Sequence, residues 1–312
     1  MTSISSVAVV GAGLVGEGWC IVFASAGLRV SVFEPSDTVR DGLLDRIEAG
    51  LADMRTAGLD VDIAAVLKRI TLAPTLQAAV EQADYVQESV FERVETKRQI
   101  SLDIDPHLAP HASVGSSSSG IPTSAFTEEC TNRTRYLVAH PVNPPHLVPV
   151  VEVVPAPWTD PAVTESVIGL MRRVGQAPVH VRKEIQGFVL NRLQGALLNE
   201  AWALFEEGYA SLEDIDTTVS EGLGLRWSFM GPFETIDLNA PGGIADYAQR
   251  LSALYHEIAL SRCQPSPWSA DAVAEATQAR RAELPASDLL ARRAWRDAYL
   301  ARLAAFKQGE TD

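Results

Sequence analysis

A histidine and a glutamate twelve residues apart are the strongest candidates for chemistry in this sequence. His140 follows the apolar run 136–139, and Glu152 lies inside the next apolar run, 150–154, where a carboxylate is costly to bury without a partner. A histidine at the end of a neighbouring strand is a natural partner, because the pair would fix one imidazole tautomer and raise its basicity. The pattern predicts a general base that works near neutral pH. On spacing alone an alternative stays open, in which His140 packs under a proline-rich turn and Glu152 faces solvent.

A glycine-rich turn near the start of the chain predicts a dinucleotide site. The apolar run Val7–Val10 is followed by Gly-Ala-Gly-Leu-Val-Gly at 11–16, and Glu34 ends the next apolar run, 18 residues after Gly16. The glycines would permit a tight turn, close approach of a pyrophosphate and close helix packing, while the carboxylate would bind the ribose hydroxyls and repel a 2′-phosphate. NAD is therefore favoured over NADP, with a flavin as the weaker alternative for the same turn. The expected cofactor contacts here are Gly11, Gly13, Leu14, Val15, Gly16 and Glu34.

These residues sit in a chain whose pattern changes near its middle. Short apolar runs alternate with helical periodicity up to about residue 181, which predicts an α/β fold with a Rossmann-like, doubly wound and mostly parallel sheet. Further strands are expected near 69–73, 84–88, 112–116, 135–139, 149–154 and 177–181. From Gly187 the pattern is helical, beginning with an apolar helix over 187–207 that we expect to be buried. We therefore predict an NAD-binding domain over 1–186 and an all-helical C-terminal domain over 187–312.

Composition narrows the possible partners. The 312 residues carry a formal net charge of −14, which disfavours nucleic acid and anionic membranes and favours a small-molecule substrate. No apolar run is long enough to cross a membrane, and the N-terminus lacks the features of a signal peptide. Cys20, Cys130 and Cys263 are too few and too scattered for a disulfide framework or a metal site, which suggests the cytoplasm.

Together these motifs resemble those of the 3-hydroxyacyl-CoA dehydrogenase family over nearly the whole chain. The resemblance implies that His140 and Glu152 are catalytic and that a catalytic serine lies in the run 116–119, where Ser118 matches best to within one position. It also implies an active-site Asn191, in Gly-Phe-Val-Leu-Asn-Arg, although by itself this residue reads as a helix-packing amide. Further cofactor contacts are implied for Glu92, Lys97 and Asn143. The family's helical domain dimerises, so a homodimer is expected.

Within that family the sequence is most similar to the lambda-crystallin branch, whose implied activity is the oxidation of L-gulonate at C3. Ala-His-Pro-Val-Asn-Pro-Pro at 139–145, Gly-Phe-Val-Leu-Asn-Arg-Leu-Gln at 187–194 and Ala-Arg-Arg-Ala-Trp-Arg-Asp at 291–297 carry this likeness. Where thioester-using members tend to have Tyr-Pro, this chain has Arg226 and Trp227. We hypothesise that the Arg226 guanidinium binds the carboxylate of a free hydroxy acid and that Trp227 walls the pocket. The alternative is a surface arginine on a turn between helices.

The sequence therefore predicts NAD-dependent oxidation of a small 3-hydroxy acid at a CH–OH group, without a metal. His140 would remove the hydroxyl proton, Glu152 would stabilise the imidazolium, and Ser118 and Asn191 would bond the substrate oxygen. Three alternatives stay open. They are a 3-hydroxyacyl-CoA dehydrogenase, an L-carnitine dehydrogenase and a non-catalytic crystallin-like protein.

Overall fold

One eight-stranded sheet organises the first part of the chain. A computed structural model describes residues 4–262 and 267–309, so Cys263 lies outside the described residues. The strand order is β3-β2-β1-β4-β5-β6-β7-β8, and every neighbouring pair is parallel except β6 and β7. The strands are β1 Ser6–Val10, β2 Arg29–Phe33, β3 Ile70–Leu72, β4 Tyr85–Glu88, β5 Ser113–Ser116, β6 Tyr136–Pro141, β7 Val150–Pro155 and β8 Ala177–His180. This is the doubly wound, mostly parallel sheet that the sequence predicts.

Seven helices cover the two faces of this sheet. They are α1 Leu14–Ser25, α2 Asp37–Asp41, α3 Leu43–Thr56, α4 Ile63–Lys68, α5 Leu76–Val80, α6 Val94–Ile104 and α7 Pro161–Arg173. Because side chains alternate along a strand, Val7 and Val9 of β1 join one buried cluster, while Ala8 and Val10 join the other. A strand covered on both faces reads as a continuous apolar run.

A glycine separates the second and third of these helices. Gly42, which ends α2 and precedes α3, is not part of either helix.

After β8 the described residues form helices joined by turns and loops, with no strand among them. These helices are α8 Leu190–Glu206, α9 Leu212–Thr217, α10 Gly224–Trp227, α11 Pro232–Leu238, α12 Gly243–Ser261, α13 Ala270–Glu283 and α14 Leu289–Gly309. The described residues divide into two compact units, one running up to Leu193 and resuming at Leu290, the other spanning Gln194–Leu289. None of the described helices has the length and apolar character needed to span a bilayer.

The last helix packs against the sheet-containing unit. Ala301 of α14 is buried in the larger core cluster, and Leu300 and Ala305 pack against the same cluster. The sequence alone places this helix with the helical domain, because an amphipathic helix does not reveal which core it covers. The boundary predicted at residues 186 and 187 stays a prediction.

The apolar helix predicted over 187–207 differs in two ways. It begins at Leu190, because Gly187 and Phe188 take positive φ angles of 76° and 50° in a turn before it. The prediction that it is buried is wrong for the single chain: none of the α8 side chains is buried, and Leu193 is 63% exposed.

Candidate active site

The candidate residues of the sheet-containing unit converge where parallel strands end. The carboxyl ends of β1, β2, β4, β5 and β6 lie along one edge of the sheet, as parallel pairing requires. Ligands of open α/β sheets bind outside this edge, where the strand order reverses. Here the reversal falls between β1 and β4, which meet with Val10 opposite Glu88.

The glycine turn after β1 has the geometry of a phosphate-binding turn. Gly11 has a φ of 93°, and a Cβ on Gly16 would lie 1.9 Å from the Gly11 carbonyl oxygen, so both positions require glycine. A Cβ on Gly13 would meet nothing within 4 Å, which leaves its backbone open to a ligand. No side chain caps the start of α1, so the first N–H groups of this helix remain available to an anion. Leu14, the first residue of the helix, is largely exposed, and Val15 is partly buried.

Glu34 lies directly beside this turn. One oxygen of its carboxylate accepts a hydrogen bond from the Ala12 amide at 2.8 Å, and the other accepts from the Ser36 amide at 2.9 Å. Arg46 of α3 donates to the Ala12 carbonyl and to the Glu17 carboxylate. The turn is therefore held from both sides, by Glu34 and by Arg46.

His140 and Glu152 face each other across the antiparallel strands β6 and β7. They are paired in register, with His140 Nδ1 2.8 Å from Glu152 Oε2, and both side chains are buried. The hairpin between these strands explains the spacing of twelve residues. With Nδ1 on Glu152, Nε2 is the nitrogen that remains for a substrate.

The second oxygen of Glu152 is held by the start of α8. Glu152 Oε1 accepts from the amides of Val189 and Leu190 at 2.7 and 2.9 Å. The turn at Gly187 and Phe188 aims these amides at the carboxylate, and the buried Phe188 ring lies 5.9 Å from the His140 ring. Burial by itself would raise the pKa of Glu152, but the bonds from His140 and the two amides outweigh it and hold the pKa below its ordinary value. The carboxylate is thus ionised at neutral pH.

The serine run after β5 separates into buried and exposed hydroxyls. Ser118 is fully buried, with its hydroxyl 2.8 Å from both Glu92 Oε1 and the Ile121 carbonyl, and it accepts a bond from the Ile121 amide. The Ser118 hydroxyl is therefore engaged within the protein, and its catalytic role stays a prediction. Ser119 is exposed, although its hydroxyl also donates a longer bond, of 3.2 Å, to Glu92 Oε1. The Ser119 carbonyl accepts a bond from Asn191 Nδ2 at 2.5 Å. The burial comes from the fold, so the four identical residues carry no local sign of it.

Lys97 and Glu92 lie under the same loop, together with a residue that sequence reasoning missed. Lys97 is fully buried, with its Nζ 3.1 Å from both oxygens of Glu88 and 3.4 Å from Glu92 Oε2. The Lys97 side chain is therefore enclosed by carboxylates, whereas Glu92 is partly exposed, and a cofactor contact by Lys97 stays a prediction. Burial would raise the pKa of Glu92, but Lys97, the Ser118 hydroxyl and the amides of Ser119 and Gly120 lower it overall. The residue that sequence reasoning missed is Glu88. Its position at the end of an apolar strand that pairs with β1 could have marked it as a buried carboxylate near the glycine turn.

The remaining candidates lie in two different places. Asn143 is exposed in the loop after β6, and the neighbouring Pro145 contacts α1 so closely that a Cβ on Gly18 would lie 2.6 Å from its Cδ. Arg226 and Trp227 belong to α10 in the second unit, where both are exposed. Among the described residues no carboxylate lies within ion-pair distance of Arg226. Its role in substrate binding stays a prediction.

Two domain models of one protein family together match most of the chain. Residues 6–185 match the family model described as 3-hydroxyacyl-CoA dehydrogenase, NAD binding domain, and residues 187–283 match the C-terminal domain of the same name. The dinucleotide of the crevice is therefore NAD, in agreement with the open backbone at Gly13 and the carboxylate of Glu34.

Individual relatives match at full or three-quarter length. A lambda-crystallin from Oryctolagus cuniculus is 40% identical over 307 residues, covering 97% of this chain and 96% of that protein. An L-carnitine dehydrogenase from Pseudomonas putida is 36% identical over 238 residues, covering 76% of this chain and 74% of that protein. The crystal structure of a 5-formyl-3-hydroxy-2-methylpyridine 4-carboxylic acid 5-dehydrogenase, an NAD+-dependent dismutase, superposes with a TM-score of 0.85 at 27% identity, covering 99% of this chain and all of that one.

Two alanine substitutions in the glycine turn should separate folding from cofactor binding. Gly16→Ala places a methyl group against the Gly11 carbonyl, so we expect both a lower melting temperature and weaker NADH binding. Gly13→Ala meets no protein atom and has ordinary backbone angles, so we expect an unchanged melting temperature but an NADH Kd raised about tenfold. Thermal unfolding and NADH fluorescence titration measure the two effects. Tight NADH binding by Gly13→Ala would place the pyrophosphate elsewhere.

The stability contributed by Glu152 should depend on pH. Its pKa is lower in the folded protein than its ordinary value of 4.5, so the ionised carboxylate stabilises the fold above that value, and this stability is lost as pH falls through the folded-state pKa. We expect Glu152→Gln to be less stable than the unmodified protein at pH 7, with a difference that shrinks below about pH 4. Thermal unfolding over a pH series tests this, with the exposed Glu165→Gln as control. A difference that stays constant with pH would contradict the assignment.

Proposed function

The chain belongs to the 3-hydroxyacyl-CoA dehydrogenase family of NAD-dependent enzymes that act on CH–OH groups, and within that family we propose that it oxidises a small free 3-hydroxy acid, with L-gulonate as the first candidate. The observation that carries the chemistry is the buried His140–Glu152 pair, which lies along the same sheet edge as the glycine turn. A base and a dinucleotide site on one edge can act on one carbon atom.

The proposed roles follow from the contacts of each side chain. His140 Nε2 takes the proton of the substrate hydroxyl, while Glu152 holds the ring by Nδ1 and stabilises the imidazolium that forms. Because two amides of the α8 turn hold Glu152, the carboxylate does not move during the proton transfer. NAD, when bound, supplies the acceptor for the hydride that leaves the same carbon. If the substrate is L-gulonate, the product is a 3-keto acid that is prone to lose CO₂.

We assign the substrate-facing hydroxyl to Ser119 in place of Ser118. Ser119 is the exposed member of the pair, and Asn191 bonds its carbonyl, so the two residues are positioned together. A hydroxyl and an amide beside the reacting oxygen would orient the substrate for hydride loss. Asn143, Glu92 and the glycine turn are proposed to contact the cofactor. We propose that Lys97 acts indirectly, by holding Glu92 through their ion pair.

The free-acid substrate rests on chemistry and on relatives. One relative that matches over nearly its full length is a lambda-crystallin, and two others bear the names of enzymes for L-carnitine and a pyridine carboxylic acid, both of which carry a carboxylate. A carboxylate near the reacting carbon calls for a cation, and Arg226 is an exposed guanidinium without a carboxylate partner among the described residues. We propose that Arg226 binds this carboxylate with two charge-assisted bonds and that Trp227 provides an apolar wall.

We also propose that the chain forms a homodimer in the cytoplasm. The two longest helices of the second unit, α8 and α12, have no buried residue in the described single chain. Their apolar side chains include Leu197, Leu254 and Ile258, all exposed. Apolar helix faces of this extent are typical of an interface with a second copy.

The proposed activity predicts which substrate is oxidised. With NAD as the acceptor, we expect L-gulonate to be oxidised faster than L-carnitine, 3-hydroxybutyrate and 3-hydroxybutyryl-CoA. The rate is measured as the increase in NADH absorbance. His140→Ala should lower kcat by about a hundredfold or more, because it removes the base. His111→Ala is the matched control, since His111 forms an exposed pair with Asp84 at the opposite end of β4. If only the thioester is oxidised, the protein is a 3-hydroxyacyl-CoA dehydrogenase and the proposal is wrong. Tight NAD binding without oxidation of any substrate would favour a non-catalytic role.

Arg226 should matter for a free acid and not for a thioester. Arg226→Gln removes the cation, so we expect the KM for the hydroxy acid to rise about tenfold or more, as the loss of a charge-assisted bond implies. Arg226→Lys should recover part of this loss. NADH affinity should be unchanged in both variants, which fluorescence titration can verify. An unchanged KM for the free acid would remove the proposed role.

A further inference from the structure

We propose that Glu88 is a positioning residue of this active site, which holds the serine loop (residues 117–120) in place through Lys97 and Glu92. The proposal rests on the site described under the proposed function, but it does not depend on which hydroxy acid is oxidised. Glu88 is a buried carboxylate that has no role in the proposed proton and hydride transfer.

Glu88 lies at the centre of the cofactor crevice. It is the last residue of β4 and stands opposite Val10 of β1, the residue before the glycine turn. The next amide, of Ser89, donates to the Val10 carbonyl at 2.7 Å, and the Ser89 carbonyl lies 2.7 Å from the position of a Cβ on Gly11. A change at Glu88 therefore occurs within one residue of the backbone that binds the dinucleotide.

The Glu88 carboxylate is buried and fully partnered. It accepts bonds from Lys97 Nζ at 3.1 Å on both oxygens, from the Ser116 hydroxyl at 2.5 Å and from the Val90 amide at 2.7 Å. Glu88 and Lys97 are almost completely buried, and a buried ammonium is strongly unfavourable without a counter-ion. Glu88 thus fixes the position of Lys97 at the foot of α6.

Lys97 in turn faces Glu92, which carries the serine loop. Lys97 Nζ is 3.4 Å from Glu92 Oε2, while Glu92 Oε1 accepts from the amides of Ser119 and Gly120 at 2.8 and 3.1 Å. One ammonium is therefore shared between two carboxylates. Without the charge of Glu88, Lys97 would pair with Glu92 alone and draw it inward, away from the loop amides.

The loop passes this constraint on to the catalytic pair. The Ser119 carbonyl accepts from Asn191, which lies one residue beyond the Leu190 amide that holds Glu152. Hydrogen bonds thus connect the serine loop to the turn that supports Glu152 and His140. Displacement of the loop should weaken cofactor binding and lower turnover together.

The competing explanation is that Glu88 only neutralises Lys97 so that the protein can fold. Two variants separate these roles. Glu88→Gln removes one charge and leaves Lys97 buried without this partner, whereas the double variant Glu88→Gln with Lys97→Met removes both charges and leaves no unpaired ammonium. The matched control is Asp105→Asn, another buried carboxylate, which accepts bonds from the amides of Thr131 and Asn132 and from the Tyr136 hydroxyl and makes none to the serine loop.

The readouts are the melting temperature, the NADH Kd by fluorescence titration, and kcat with the substrate that the unmodified protein oxidises. We expect Glu88→Gln to raise the NADH Kd about tenfold and to lower kcat, whereas Asp105→Asn lowers only the melting temperature. The double variant should regain a melting temperature within about 3 °C of the unmodified protein and keep the raised Kd.

Recovery of the NADH Kd in the double variant would overturn the proposal, because the pair would then serve folding alone. An NADH Kd within about twofold of the unmodified value for a folded Glu88→Gln would also overturn it. If Glu88→Gln does not fold, the double variant decides the matter by its Kd. If the unmodified protein binds NADH but oxidises none of the four substrates, the proposed function fails while this test still stands on NADH affinity.

Discussion

The ionised carboxylate of Glu152, buried inside a strand, is the constraint on which the active site depends. Such a group is tolerated only when its charge is matched and its oxygens are bonded. Here one oxygen faces His140 and the other faces two amides of the turn before α8. The requirement ties the β6–β7 hairpin to the start of the helical region, so the proposed catalytic base is positioned by elements that are distant in the sequence.

A second charge cluster consists of the buried Glu88 and Lys97 and the partly exposed Glu92, and it meets a similar requirement beside the serine loop. In both clusters a carboxylate accepts hydrogen bonds from backbone amides of an irregular segment. Glu92 binds amides of the serine loop, and Glu152 binds amides of the turn before α8. Asn191 joins the two by its bond to Ser119. Ionised side chains therefore hold the irregular segments of the site in place. The sheet provides the fixed edge from which these side chains extend.

Much of this arrangement could be predicted from local patterns. The strands, the glycine turn with Glu34, and the spacing of His140 and Glu152 follow from periodicity and from the chemistry of short motifs. The rest depends on tertiary contacts that no local pattern encodes. Ser118 and Ser119 are identical in type, and only the packing of the loop over Glu92 makes one buried and the other exposed. The motif that contains Lys97 likewise does not show that the Lys97 ammonium is buried against Glu88. The packing of α14 on the sheet-containing unit likewise depends on which core its apolar side reaches.

The double use of Glu34 has a consequence for how cofactor preference could change. Its two oxygens are engaged by the amides of Ala12 and Ser36, so the residue that would repel a 2′-phosphate is also the one that shapes the turn around it. Replacing it to admit a phosphorylated dinucleotide would release two loop amides at the same moment. A switch of coenzyme in this scaffold, by evolution or by engineering, therefore requires compensating changes in the loop before the new cofactor has a surface to bind.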